Sequence, residues 1–316
     1  MKIIHGLRYL KRQPKGSVIT IGVFDGVHTG HKKIIKEAAA AADKARLANV
    51  VITFDPHPAR VLRLSDNAPS LISLRHRARL IAALGAAVLV VIKFTRAFAR
   101  TSPESFVKNV LVDKLRVREI RMGGDFHFGR DADAGAGILR KFSKPYNYKV
   151  TVIKPVKRGG RVVSSSLIRR FITDGKLSGA AKLLGRPVSV LGTIVKGSGL
   201  AKGLGYPTAN INPHHEVIPP RGVYAVIARI GGKKIRGALN IGFRPTFYSS
   251  RDKEPTIEVH LFDFKGNLYG KDIEVYFIKK IRDEVRFKSA AALTAQIRKD
   301  MRAVQNALQS MGSVLI

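Results

Sequence analysis

The sequence predicts two domains of different class: an α/β domain built on a parallel sheet with helices on both faces, then a small antiparallel β-barrel carrying a C-terminal helix. Three observations carry that reading. Short, fully apolar segments alternate with helix-like ones up to about residue 185, as strands buried on both faces require. Gly185-Arg186-Pro187 then breaks the pattern. Beyond it come alternating apolar and polar segments separated by turn signals such as Gly231-Gly232 and Lys265-Gly266-Asn267. The domains are expected at 1–185 and 186–316.

In the first domain the strand candidates are Ser17–Gly22, Val50–Phe54, Ala87–Ile92, Arg118–Met122 and Lys149–Ile153. Helices are expected at Lys32–Leu47, Leu74–Leu84, Pro103–Leu115, about Ile138–Phe142, Ser165–Thr173 and Leu177–Leu184. In the second, Val188–Val195, Val223–Ile230, Lys234–Ile241, Thr256–Phe264 and Asp272–Ile281 read as strands. From Ser289 to about Ser310, Ala292, Ile297, Met301, Val304 and Leu308 recur at helical spacing, giving a helix that packs on the barrel.

Composition narrows the chemistry. The chain has 316 residues and no cysteine, which excludes a disulfide framework and thiol catalysis and suits a reducing cytoplasm. The N-terminus lacks the apolar core of a signal peptide, and the longest apolar run, Ile81 to Ile92, is too short to span a bilayer; no membrane partner is expected. The formal net charge is +35, with +24 on residues 1–185 and +11 on 186–316. Such a field attracts nucleotides and nucleic acid alike. No dense Lys/Arg block with interleaved aromatics occurs along the chain, so nucleic-acid contact is expected to be non-specific and charge-driven.

The most informative segment is Gly22-Val23-Phe24-Asp25-Gly26-Val27-His28-Thr29-Gly30-His31, which runs from a buried strand into a helix. The first backbone N–H groups of a helix lack intrahelical partners and sit at the positive end of its dipole, so phosphate is favoured there. Gly30 permits close backbone approach, and two imidazoles three residues apart share one helical face. A metal pair or surface histidines are the plainer alternatives. Phe54-Asp55-Pro56-His57-Pro58 ends the second strand, at the sheet edge where open α/β sheets take ligands; Phe54 and His57 would face a planar ring, unless this is simply a turn. Gly123-Gly124-Asp125-Phe126-His127-Phe128-Gly129-Arg130 suits a loop around a flat heterocycle, through Asp125, Phe126 and Phe128. Ser164, Ser165 and Ser166 cap the next helix or bind phosphate, with Arg169 one turn on.

In the second domain, Gly197-Ser198-Gly199-Leu200-Ala201-Lys202-Gly203-Leu204-Gly205 is a glycine-rich loop able to cradle phosphates. It leads into Tyr206-Pro207-Thr208-Ala209-Asn210, where Thr208 and Asn210 offer two hard oxygen ligands on one side of an extended segment, which is Mg²⁺ chemistry. Glu258 stands alone as a carboxylate inside an alternating strand.

His28-Thr29-Gly30-His31 with Ser164–Arg169 resembles the HxGH nucleotidyltransferase superfamily, and Gly124–Gly129 narrows the likeness to the N-terminal half of prokaryotic bifunctional riboflavin kinase/FMN adenylyltransferases, or FAD synthetases. The Gly-rich loop and Pro207-Thr208-Ala209-Asn210 resemble the riboflavin kinase signature, with Ala201 and Lys202 standing where that family usually has Gly and Arg, and Arg244 where some members have Asn. Ser166 stands where the superfamily usually has Thr. The resemblance implies phosphorylation of riboflavin by ATP to FMN in the second domain, then adenylylation of FMN by ATP to FAD in the first. It implies His28, His31, Arg169 and Glu258 as catalytic residues, the last as general base. Gly22, Phe24, Gly30, Ser164, Ser165, Ser166, Gly197, Gly199, Lys202 and Gly205 would hold ATP phosphates. Phe54, His57, Asp125, Phe126, Phe128, Arg286 and Phe287 would hold flavin, and Thr208 and Asn210 the Mg²⁺.

Overall fold

The computed structural model describes residues 1–13, 15–62, 70–124, 135–196, 206–214, 216–243 and 255–310. The chain divides into two compact units, Met1–Ser70 with Leu74–Ser165, and Leu71–Ser73 with Ser166–Ile316.

The first unit is a parallel sheet of β1 (Lys2–His5), β2 (Ser17–Ile21), β3 (Ala48–Asp55), β4 (Val88–Lys93), β5 (Val117–Gly123) and β6 (Lys149–Ile153). Their order is β1-β4-β3-β2-β5-β6, and every pairing is parallel. Its helices are α1 (Thr29–Ala45), α2 (Pro58–Val61), α3 (Leu74–Ala82), α4 (Arg96–Ala99), α5 (Pro103–Phe106) and α6 (Ala136–Ser143). From β2 the chain steps to β3 on one side, while β5 lies on the other. The carboxyl end of β2 is therefore the topological switch point, where open α/β sheets leave a crevice for ligands. All of β2 is buried, as its apolar run requires.

Expectation and structure agree on β2 to β6 within a residue or two. Besides the one-turn helices α2 and α4, which were not expected, three features differ. β1 is a short edge strand in which only Ile4 is buried, too little pattern to read. A two-stranded hairpin, β7 (Lys157–Arg158) with β8 (Arg161–Val162), turns on Gly159-Gly160, both at positive φ. The helix expected over Pro103–Leu115 is α-helical only through α5; Val107–Val112 is π-helical, with Asp113 N–H donating to Lys108 O and Leu115 N–H to Val110 O.

The second unit holds most of α7 (Ser165–Thr173), all of α8 (Leu177–Leu184), and a closed barrel. The barrel strands are β9 (Ser189–Val195), β10 (Ala209–Asn212), β11 (Gly222–Ile230), β12 (Lys233–Phe243), β13 (Pro255–Leu261) and β14 (Asp272–Arg282), closed antiparallel in the order β10-β13-β12-β11-β14-β9. The compact division thus falls ahead of the Gly185-Arg186-Pro187 break. Leu71–Ser73 joins this unit through Glu216, which is buried and accepts from Ser73 N–H and Oγ–H at 2.8 and 2.7 Å and from Leu191 N–H at 3.0 Å. The sixth strand, β10, is the extended segment that follows Thr208.

The tail forms α9 (Ala290–Gln309), capped by Ser289, whose Oγ accepts from Ala292 N–H at 3.2 Å. Its Val304, Ala307 and Leu308 bury against Ala225 and Ala238, two small residues that let the helix approach the barrel wall. Asp300, buried, takes the Arg282 guanidinium at 2.8–3.0 Å and Gln296 at 2.8 Å, which locks α9 to the end of β14.

Candidate active sites

The loop leaving β2 is wound against its own preferences. Phe24, Gly26 and Val27 have φ of +54°, +80° and +40°, and Val27 N–H closes the turn on Phe24 O at 3.1 Å. A β-branched residue at positive φ costs roughly 1–3 kcal/mol, so the surroundings must over-determine it. They do so by burying Phe24 and Val27, and through Arg77 of α3, which donates to Val23 O at 2.5 Å and to Phe54 O at 3.2 Å and pairs with Asp55 at 3.5 Å. Gly22 makes room for the Phe24 ring, which a Cβ there would meet at 2.9–3.2 Å. Arg77 escapes sequence reading because nothing in α3 marks one arginine among three as buried.

His28 is the N-cap of α1, its Nδ1 accepting from His31 N–H at 3.3 Å. This assignment leaves the proton of the neutral ring on Nε2. His31 lies face to face on it, centroids 3.6 Å apart and planes 18° from parallel, with the edge of Phe24 at 5.3 Å. Burial holds the His31 pKa well below the ordinary 6.5, and the charges of His28 and Arg77 push the same way. His31 Nδ1 is buried with no hydrogen-bond partner. His31 is therefore a neutral imidazole stacked on the N-cap ring of His28 at the start of α1. Gly30 is what allows the stack: a Cβ would lie 3.1 Å from His28 Cε1 and 3.2 Å from Nδ1. Gly30→Ala is expected to tilt His28 and reduce adenylyl transfer at least tenfold, about 1.4 kcal/mol of barrier, read as FAD formed from supplied FMN.

Ser165 Oγ donates to Asp25 O at 2.9 Å, so this serine ties the start of α7 to the β2 loop. Ser164 and Ser166 are exposed, and Arg169 is partly buried one turn into α7. Two expectations change. Phe54 belongs to the core: it is 4% exposed, with Phe94 and Phe98 at centroid distances of 5.8 and 6.2 Å, so its ring has no open face for a planar ligand. Phe24 contributes backbone shape and the packing of His31 rather than a phosphate contact. His57 Nδ1 accepts from Ala59 N–H at 3.1 Å and caps α2, after a cis Asp55–Pro56 bond. Asp125, Phe126 and Phe128 lie outside the described residues, as do Gly197, Gly199, Ala201, Lys202, Gly205 and Arg244. Arg77→Met is expected to lower FAD formation at least tenfold with FMN formation retained, because two strand-end carbonyls lose a charged donor; parallel assays of the two products check it.

In the second unit, strand register assembles the site. Glu258 of β13 stands opposite Asn210 of β10 on one side and Asn240 of β12 on the other. Thr208 Oγ1 donates to Glu258 Oε2 at 3.2 Å. Gly242 lacks a Cβ where one would meet Glu284 Oε1 at 2.5 Å and Asn240 Nδ2 at 3.1 Å, so a second carboxylate, Glu284, reaches this face. Arg221 lies 3.8 Å from it. Sequence reading passed over Asn240 and Glu284 as site residues; the signal was a glycine inside a strand, which marks a close approach. The Phe287 ring lies 5.7 Å from the Arg282 guanidinium, while Arg286 is exposed. Beside Thr208, a cavity of about 420 Å³ is lined mainly by apolar side chains, among them Pro207, Val259, Leu261, Phe264 and Leu268, with Asn267 alongside, a slot suited to a flat heterocycle.

A stacked histidine pair at the switch point of a parallel sheet, together with a barrel-borne carboxylate flanked by hard oxygen donors, defines a two-domain transferase that works on nucleotide phosphates. The FAD synthetase family model matches residues 10–167, and the riboflavin kinase model matches residues 184–308. The chain belongs to the family of bifunctional riboflavin kinase/FMN adenylyltransferases. It is 37% identical to the enzyme of that name from Buchnera aphidicola (subsp. Schizaphis graminum) over 96% of this chain and 98% of that one. Against the Escherichia coli K12 enzyme it is 37% identical, covering 95% and 96%, and against that of Bacillus subtilis 36%, covering 94% of each. A crystal structure described as a macrolide-efflux protein from Streptococcus pneumoniae superposes with a TM-score of 0.84 at 30% identity, over 97% of this chain and 99% of that one. No helix among the described residues is long and apolar enough to cross a membrane. The enzyme phosphorylates riboflavin with ATP to FMN and adenylylates FMN with ATP to FAD, releasing pyrophosphate.

Proposed function

We propose that the two reactions are divided between the two sites, with the functional boundary at 185/186; the observation that supports the division is that the His28–His31 pair lies in one compact unit and Thr208, Asn210 and Glu258 in the other. In the first, a phosphate oxygen of FMN attacks the α-phosphorus of ATP and pyrophosphate leaves. The nucleophile is already an anion, so no base is required. His28 and His31 position the triphosphate at the α1 N-terminus, and the family resemblance adds Ser164, Ser165, Ser166 and Arg169, at the start of α7, as phosphate ligands. His57, Asp125, Phe126 and Phe128 belong to the flavin side of this site.

In the second, Glu258 takes the proton of the ribityl 5′-hydroxyl as that oxygen attacks the γ-phosphorus and ADP leaves. Thr208 donates to Oε2, which leaves Oε1 to accept the proton. The Thr208 hydroxyl and Asn210 amide oxygen are hard neutral donors beside a carboxylate, a set that fits Mg²⁺ completed by phosphate and water. Bound there, Mg²⁺ would supply neutralisation of the phosphate charge. Gly197, Gly199, Lys202 and Gly205 would hold those phosphates, and Arg286 and Phe287 the flavin. A cysteine-free chain supports a cytoplasmic location.

A mixing experiment tests the division. A kinase-dead chain (Glu258→Gln) and an adenylylation-dead chain (His31→Ala), each making no FAD from riboflavin alone, are expected to make FAD together. A mixture that stays inactive would overturn the separate sites.

A further inference from the structure

The chain carries a formal net charge of +35, and no basic-aromatic block occurs along the sequence. The fold of the second unit builds one. A groove of about 1370 Å³ runs between α9 and the ends of β12 and β13. Lys233, Lys234 and Arg236, all exposed, supply one side, and Lys265 adds a fourth cation against one exposed carboxylate, Asp263. Beside them Tyr206, His260 and Phe262 form a continuous edge-to-face run, with successive centroids 5.7 Å apart. His260 is fixed in that run by its Nδ1, 2.8 Å from Pro207 O. Three of the cations come from the β11–β12 hairpin and the rings from two other segments, so the folded chain brings them together.

We propose that this groove binds single-stranded nucleic acid. Its volume exceeds the roughly 300–1,000 Å³ of a small-molecule site, so a single nucleotide would leave much of it unfilled. Rings beside a row of cations are the combination that takes unpaired bases and a phosphate backbone together, at about 1–3 kcal/mol per stacked base. A duplex, its bases already stacked, cannot use the rings. The groove is distinct from the slot beside Thr208, with which it shares only Phe264.

The test is fluorescence anisotropy of the full-length protein with a labelled strand of about 12 nucleotides, as single strand and as duplex, from about 50 to about 200 mM salt. The triple variant Lys233→Glu, Lys234→Glu, Arg236→Glu is expected to bind the single strand at least tenfold more weakly. Its log–log salt slope should fall by about 2, from about 0.7 per lost phosphate contact. Phe262→Leu should weaken binding several-fold with the slope unchanged. A control of equal charge change on α6, Arg140→Glu, Lys141→Glu, Lys144→Glu, should bind as the parent does. Formation of FMN and FAD should stay at the parent rate in the groove triple, which establishes that it is folded. Equal losses in both triples, or duplex bound as tightly as single strand, would show charge without a site and overturn the proposal.

Discussion

His31→Ala is expected to reduce FAD formation by at least a hundredfold, about 2.7 kcal/mol of barrier, while FMN formation from riboflavin stays within about twofold. The ring it removes is half of a stacked pair and abuts Phe24, whose strained backbone shapes the loop. Its loss strikes both the donor and the mould that holds His28. Chromatography of the two products separates the effects in a single incubation, and parallel loss of FMN would contradict independent sites. The substitution also carries a pH signature. His31 is held neutral by burial, its folded pKa below the ordinary 6.5 of the unfolded chain. Its contribution to stability is therefore full above 6.5 and lost as pH falls from there towards the folded value, by up to about 1.4 kcal/mol per pH unit. Thermal unfolding between pH 7 and pH 5 should show the parent losing more stability than His31→Ala; equal acid sensitivity would mean that His31 titrates freely.

How much of this was legible in the sequence follows from where the determinants lie. The central strands were readable because a segment buried on both faces must be apolar throughout, and His28 to His31 because a strand, a glycine and a helix start coincide within ten residues. The short strands β1, β10 and the β7–β8 hairpin were not, because pairing with a neighbour, not a pattern of their own, makes them strands. Phe54 misled for a related reason. A loop flanked by prolines at a sheet edge resembles a ligand wall, but whether its aromatic ring faces ligand or core depends on Phe94 and Phe98, forty residues away in the chain. Arg77, Asn240 and Glu284 were invisible for the same cause. Each reaches its site through tertiary placement, and only Gly242 left a trace, as an unexplained gap in a strand. The groove beside α9 is the extreme case, since three of its cations and its rings come from different parts of the second unit.

Glu258→Gln carries the second large effect. The amide keeps the shape and can still meet Thr208, but it cannot take a proton, so FMN formation should fall by about 10²–10⁴, the contribution of a general base. FAD formation from supplied FMN should be unchanged. The register makes this substitution a sharper test than truncation to alanine, which would also leave the Thr208 hydroxyl without its acceptor and Asn210 and Asn240 facing a gap. If FMN formation survived in Glu258→Gln, the proton would have to go to a different carboxylate. Glu284 is the group placed to receive it, next to Asn240 over Gly242. The double variant Glu258→Gln, Glu284→Gln then decides between them: activity lost only in the double variant assigns a shared role, whereas activity already lost with Glu258→Gln leaves Glu284 to hold Arg221 and the β14–α9 loop.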